Sequence, residues 1–162
     1  MHECEIGRPR RLAPIDTPVY PGRMFTTSIL VRFGDLDPAG IAYYPNLVNF
    51  LNEAFEDFFR GHVGRSLPDV YAEGISFPTV KLEMEFVSPV RYGDSVDVGV
   101  AVERIGRSSV QTRYEGSVKG RPVFRARNIA VVVDMKTFRP VPLPDWLRSR
   151  FEAAMAPAPT GT

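Results

Sequence analysis

Cysteine is nearly missing from this chain of 162 residues, and histidine is scarcely better represented. The one cysteine, Cys4, excludes a disulfide framework within the chain, and no ordered base stands near it in sequence to make it a catalytic thiol. His2 and His62 are not spaced as a local pair of metal ligands, and a Ser-His-Asp hydrolase would have to use one of them. Long apolar runs are also missing: nothing approaches the roughly 20 residues that span a bilayer. Residues 1–23 likewise lack the apolar core of about 7–15 residues that marks a secretory signal. The net charge of +1 comes without a basic block or a basic strand interleaved with aromatics, which argues against a nucleic-acid surface. There is no Gly-x-Ser-x-Gly elbow, no Walker-type phosphate loop, no Gly-x-Gly-x-x-Gly and no His-Glu-x-x-His. The expectation is a cytoplasmic protein with no membrane segment, and the chemistry left to it is that of carboxylates.

What is present centres on residues 31–59. From Leu47 the apolar residues Leu47, Phe50, Leu51, Ala54, Phe55, Phe58 and Phe59 recur at three- and four-residue steps, with Asn49, Asn52, Glu53, Glu56 and Asp57 on the other side. That is a long helix with a phenylalanine-rich stripe, and Pro45 suits its first turn. Before it, Asp35-Leu36-Asp37-Pro38-Ala39-Gly40 makes an acidic turn. The first N–H groups of the helix, at Tyr44, Asn46 and Leu47, have no intrahelical acceptors, so an anionic oxygen placed there is stabilised by them and by the helix dipole. A carboxylate beside such a donor set suits hydrolysis.

The rest of the chain supplies a surface for that helix to lie against. Alternating apolar residues mark strands over 25–33, 80–86, 96–103, 109–118 and 121–134, the third carrying Val96, Val98, Val100 and Val102 on one face. In the first strand Ile29, Val31 and Phe33 share a face, and in the second Val80, Leu82, Met84 and Phe86 do. Lys119-Gly120 reads as a two-residue hairpin turn, 61–74 as a connecting loop with a short helical turn at Leu67, and 144–155 as a final helix. His62 is placed to interact with the end of the long helix. Residues 1–24, with Pro9, Pro14, Pro18 and Pro21, read as a flexible arm, 25–155 as one domain and 156–162 as a disordered tail. One helix segregated to one face of an antiparallel sheet is an α+β architecture.

The run FGDLDPAGIAYYPN resembles the signature of the 4-hydroxybenzoyl-CoA thioesterase family of hotdog-fold enzymes, and weaker similarity extends over about residues 26–142. The resemblance implies an antiparallel sheet of five or six strands wrapped around one long central helix. It implies hydrolysis of a small acyl-CoA, with the Asp-Pro-Ala-Gly-Ile and Tyr-Pro-Asn runs closest to the branch acting on aromatic acyl groups of benzoyl or hydroxybenzoyl type. Asp37 matches the catalytic acid, as nucleophile or general base, the Tyr44 N–H matches the oxyanion donor, and Asp35 holds the turn. Gly40 and Tyr43 flank the substrate, Phe77 is either core or a neighbour's contact to the acyl group, and Arg104, Arg107 and Ser108 fall where the nucleotide end of coenzyme A is met. No metal or cofactor is implied, and a homodimer or homotetramer with the site between protomers is. Alternatives are aliphatic or carrier-protein-bound acyl substrates, a non-catalytic acyl-CoA-binding subunit, and a second hotdog branch whose acid is a helical glutamate, here Glu53 or Glu56.

Overall fold

The computed structural model describes residues 24–155, so the expected tail and, Met24 apart, the expected arm lie outside the described residues. Five strands, β1 (Phe25–Leu30), β3 (Thr79–Phe86), β4 (Ser95–Ile105), β5 (Ser109–Val118) and β6 (Arg121–Val131), form an antiparallel sheet in the order β1-β4-β5-β6-β3. β2 (Ile75–Ser76) and β7 (Val133–Asp134) make a separate two-stranded ladder. The long helix α1 (Tyr44–Phe58) lies over one face of the five-stranded sheet and packs chiefly on β1 and β4. This is the hotdog architecture.

The core follows from two periodicities meeting. Alternation turns Val96, Val98, Val100 and Val102 of β4 inward, each at most 1% exposed. The 3.6-residue period of α1 turns Leu47, Phe50, Leu51, Ala54 and Phe58 onto them. Past Phe58 the helix widens into a π turn, Phe59–Val63, which ends at Gly64 with φ +80, its N–H donating to the Phe59 carbonyl at 2.8 Å. After the short helix α2 (Leu67–Tyr71), capped by the Ser66 hydroxyl accepting from the Asp69 N–H, the chain reaches β2. The last helix, α3 (Asp145–Ala153), sets Phe151 against Phe58 and Phe59, with ring centroids 6.3 and 5.8 Å apart. Lys119 and Gly120 both take positive φ, 50° and 77°, as a tight hairpin between right-twisted strands requires.

The structure corrects several expectations. Phe33 does not continue the buried face of β1; it is 81% exposed. The strand ends at Leu30, and the Asp35 carboxylate accepts the Arg32 N–H at 2.7 Å, drawing the chain into a 3-10 turn, Phe33–Asp35. The apolar face of β3 is not covered either: Leu82 and Phe86 are 39% and 48% exposed, and a register shift between Thr79 and Lys81 takes Val80, 62% exposed, out of their alternation. β3 is the sheet's edge, and α1 lies toward the other edge. The expected strand over 121–134 is divided, because beyond Val131 the chain leaves the sheet to pair with β2. His62 stacks on Phe58, the last residue of α1, and its Nε2 lies 3.3 Å from the Arg150 carbonyl, so it ties the end of that helix to α3.

Candidate active site

The acidic turn is built almost entirely by main-chain hydrogen bonds. Asp37 N–H donates to the Ile41 carbonyl at 2.9 Å, Gly40 N–H to the Asp37 carbonyl at 3.0 Å, and Leu36 bridges Ala42, so residues 36–42 form a miniature hairpin. Gly40 sits at φ +76, where any other side chain would strain the turn. The Asp37 carboxylate accepts the Ala39 N–H at 2.8 Å and is half-buried. Asp35 anchors the hairpin to the helix. Its carbonyl accepts from the Tyr43 N–H at 2.8 Å and the Asn46 Nδ2 at 3.1 Å, while the Ala42 N–H donates to the Val90 carbonyl at 2.8 Å.

At the helix mouth the donor count is smaller than the sequence suggests. Tyr43 is an extended cap whose carbonyl already accepts both the Asn46 N–H, at 2.8 Å, and the Leu47 N–H, at 3.4 Å. Pro45 has no N–H to offer. The Tyr44 N–H alone among these first-turn donors has no acceptor among the described residues, and it sits at the positive end of the α1 dipole. Beside it an apolar groove of about 410 Å³ is lined by Ile41, Ala42, Tyr44, Leu47 and Phe86. The Tyr44 ring meets Phe86 edge-on, centroids 6.1 Å apart, and Tyr43 edge-on at 5.4 Å.

The turn and the helix mouth therefore come together, with Gly40 and Tyr43 between Asp37 and Tyr44. The other sequence candidates stand elsewhere. Phe77 is 9% exposed and packs against Phe55, Phe59 and Tyr71 in the core, with one side on a cavity under α1. Arg104, Arg107 and Ser108 lie at the far end of β4 from the acidic turn, about 30 Å of strand away. The Arg107 and Ser108 carbonyls there accept from Leu143 and Val132. Glu53 accepts a hydrogen bond from Asn49 at 2.9 Å on the outer side of α1. Burial, then the charges of Asp35, Glu56 and Asp57, hold its carboxyl above the usual range, against the lowering by Asn49. No group of three potential metal-ligating side chains occurs among the described residues, and none of their helices is long and apolar enough to cross a membrane.

Sequence reasoning passed over Tyr114 and Asn128, which line the cavity under α1. The signal was available: both fall on the inward face of their strands, where the neighbours are Val110, Val118, Ala126 and Ala130.

A sheet wrapped on one helix, with an acid-bearing hairpin beside a free main-chain donor at the helix mouth, is an arrangement suited to hydrolysis of an acyl group. Residues 31–151 match the thioesterase-like superfamily, and the chain belongs to it. A 1,4-dihydroxy-2-naphthoyl-CoA hydrolase of Thermosynechococcus vestitus is 31% identical over 133 residues, spanning 76% of this chain and 88% of its own. The solved structure of a thioesterase superfamily protein from Jannaschia sp. superposes with a TM-score of 0.80 at 28% identity, covering 86% of this chain and 98% of that one. That of a gentisyl-coenzyme A thioesterase gives 0.72 at 25% identity, covering 78% and 99%.

Proposed function

We propose that this protein hydrolyses a small aromatic acyl-CoA, of benzoyl or hydroxybenzoyl type, to the free acid and coenzyme A. The observation that carries the reading is the Tyr44 N–H at the mouth of α1, without an acceptor among the described residues and directly after the hairpin that presents Asp37. The thioester carbonyl oxygen binds that N–H, which stabilises the charge as the carbon becomes tetrahedral. Asp37 either removes a proton from the attacking water or attacks the carbonyl itself, giving an anhydride that water then opens. In both cases the C–S bond breaks, the thiolate of coenzyme A leaves and takes up a proton, and the acid is released. Thiolates are good leaving groups, so no strong acid is needed on that side. The aromatic preference is supported by the named substrates of the two relatives above, 1,4-dihydroxy-2-naphthoyl-CoA and gentisyl-coenzyme A.

In this reading the active unit is at least a homodimer in the cytoplasm. The exposed apolar residues of β3 lie on an edge strand whose free N–H and C=O groups are a template for a second copy. Arg104, Arg107 and Ser108, far from Asp37 in one protomer, enter as contacts from another, and Gly40 and Tyr43 border the thioester. The test is thiol release from a panel of aromatic and straight-chain acyl-CoAs. Asp37→Asn should still bind the substrate and lose about 10²–10⁴-fold in turnover; near-wild-type turnover by it removes Asp37 from the reaction. In H₂¹⁸O, a single turnover that labels Asp37 identifies it as the nucleophile; label confined to the product acid fits both the base and an anhydride opened at its acyl carbon.

A further inference from the structure

Between α1 and the β5, β6 and β3 side of the sheet lies a cavity of about 270 Å³ that the groove at the helix mouth does not include. Leu51, Phe55, Phe77 and Leu82 give it apolar walls, Asn52, Tyr71 and Thr79 add polar groups to them, and its floor is polar too. Thr112 on β5 and Asn128 on β6 are register partners, and Tyr114 stands on the same inward face two residues along. Asn128 and Tyr114 both line the cavity. The Asn128 Oδ1 is buried with no hydrogen-bond partner among the described residues. The Tyr114 hydroxyl accepts from the Thr112 hydroxyl at 3.3 Å, and its own proton remains to be donated. Burial pushes the phenol up to about 12, so it keeps that proton at any ordinary pH.

A partly apolar slot with a donor and an amide at its floor complements an aryl ring that carries a hydroxyl. The position suits the thioesterase reaction. Val48 and Asn52, which also line the cavity, stand one and two helical turns beyond Tyr44, about 6 and 12 Å along the axis. The nearer of these positions, not the farther, is within reach of an aryl acyl group whose carbonyl sits on the Tyr44 N–H.

We propose that this cavity receives the far edge of the acyl ring, and that Tyr114 and Asn128 select a hydroxyl on the ring remote from the thioester. The inference rests on the aromatic thioesterase reading above and adds its specificity determinants. A site built to hydrogen-bond a substrate hydroxyl rejects the analogue lacking it, because the buried polar groups are then left unpaired.

The experiment compares kcat/KM for 4-hydroxybenzoyl-CoA and benzoyl-CoA in the wild type, in Tyr114→Phe and in Asn128→Leu, with thermal melts to confirm folding. The wild type should favour the hydroxylated ester, and each substitution should lower that ratio roughly tenfold, one hydrogen bond's worth. If Asn128→Leu fails to fold, Asn128→Ser replaces it with a shorter polar side chain. A wild type without preference, or a ratio unchanged in both variants, overturns the inference and leaves the thioesterase reading intact. A wild type that cleaves only straight-chain esters overturns the aromatic reading and this inference together, and one that releases no thiol from any ester overturns the reaction itself.

Discussion

The two halves of the interface between α1 and the sheet are built on one backbone plan and filled in opposite ways. On the β4 side, four valines and Phe58 meet with no more than 1% of any of them exposed. On the β5, β6 and β3 side the inward positions hold Thr112, Tyr114, Asn128 and a partly exposed Leu82, and a cavity remains. The difference teaches where a two-layer fold keeps its stability and where it keeps its room. The β4 side carries the close contact with α1, while β5 and β6 add Val110, Tyr114, Phe124 and Ala126 to the same core beside an open pocket.

That contrast can be broken by substitution. Phe58→Ala should have the largest effect, since its ring contacts Phe25, Phe55, Phe59 and Phe151, and its loss is expected to destabilise the fold by about 3–5 kcal/mol. A sharper comparison uses one substitution in both halves. Val98→Ala should cost about 2 kcal/mol, for lost transfer energy and the void it leaves. Val48→Ala, on a cavity that is already open and in a helix that favours alanine, should stay within about 0.5 kcal/mol of the wild type. Equal losses in denaturant melts would mean that the two halves are equally packed.

The smallest effect belongs to neither half. Glu53, outside the interface, has a folded-state pKa above its unfolded value, so over the interval between the two the folded chain binds more protons than the unfolded one. Stability therefore falls as pH rises through that interval and stays lowered above it. Glu53→Gln should raise Tm slightly at neutral pH and leave it unchanged near about pH 3, where the carboxyl is protonated in both states. The same variant should keep its turnover. Loss of turnover there, with Asp37→Asn still active, would move the catalytic acid from the hairpin to the helix.

Local signals were read well from the sequence and long-range ones were not. The valine alternation of β4, the stripe of α1 and the Lys119-Gly120 turn each depend on a few adjacent residues, and each stands as expected. Alternation in residues 80–86 identified a strand and its apolar face, but whether that face is covered depends on the strand's place in the sheet, which no local pattern encodes. Phe33 failed for a related reason, since the Arg32 N–H donates to the Asp35 carboxylate where the strand has already ended. At the site, the acidic turn and the helix mouth were legible because both lie in one continuous stretch. The donor count was not, because it turns on the Tyr43 carbonyl serving two N–H groups at once. Asn128 was missed as a polar residue in an otherwise apolar inward row, Phe124, Ala126 and Ala130.

Pro45 has a consequence for how this site can change over generations. By removing one N–H, beside a cap that occupies the next two, it leaves the helix mouth with a single donor that belongs to the main chain. Side-chain variation at position 44 cannot delete it, so under the proposed mechanism the exposed Tyr44 ring can vary while the oxyanion contact is kept. One amino acid is the exception. Tyr44→Pro would erase the N–H at the position where helices tolerate proline best, so it should fold and lose turnover, whereas Tyr44→Ala should alter mainly KM. If the proposed oxyanion donor is the right one, the reaction is robust to nearly every codon at this position and defenceless against one.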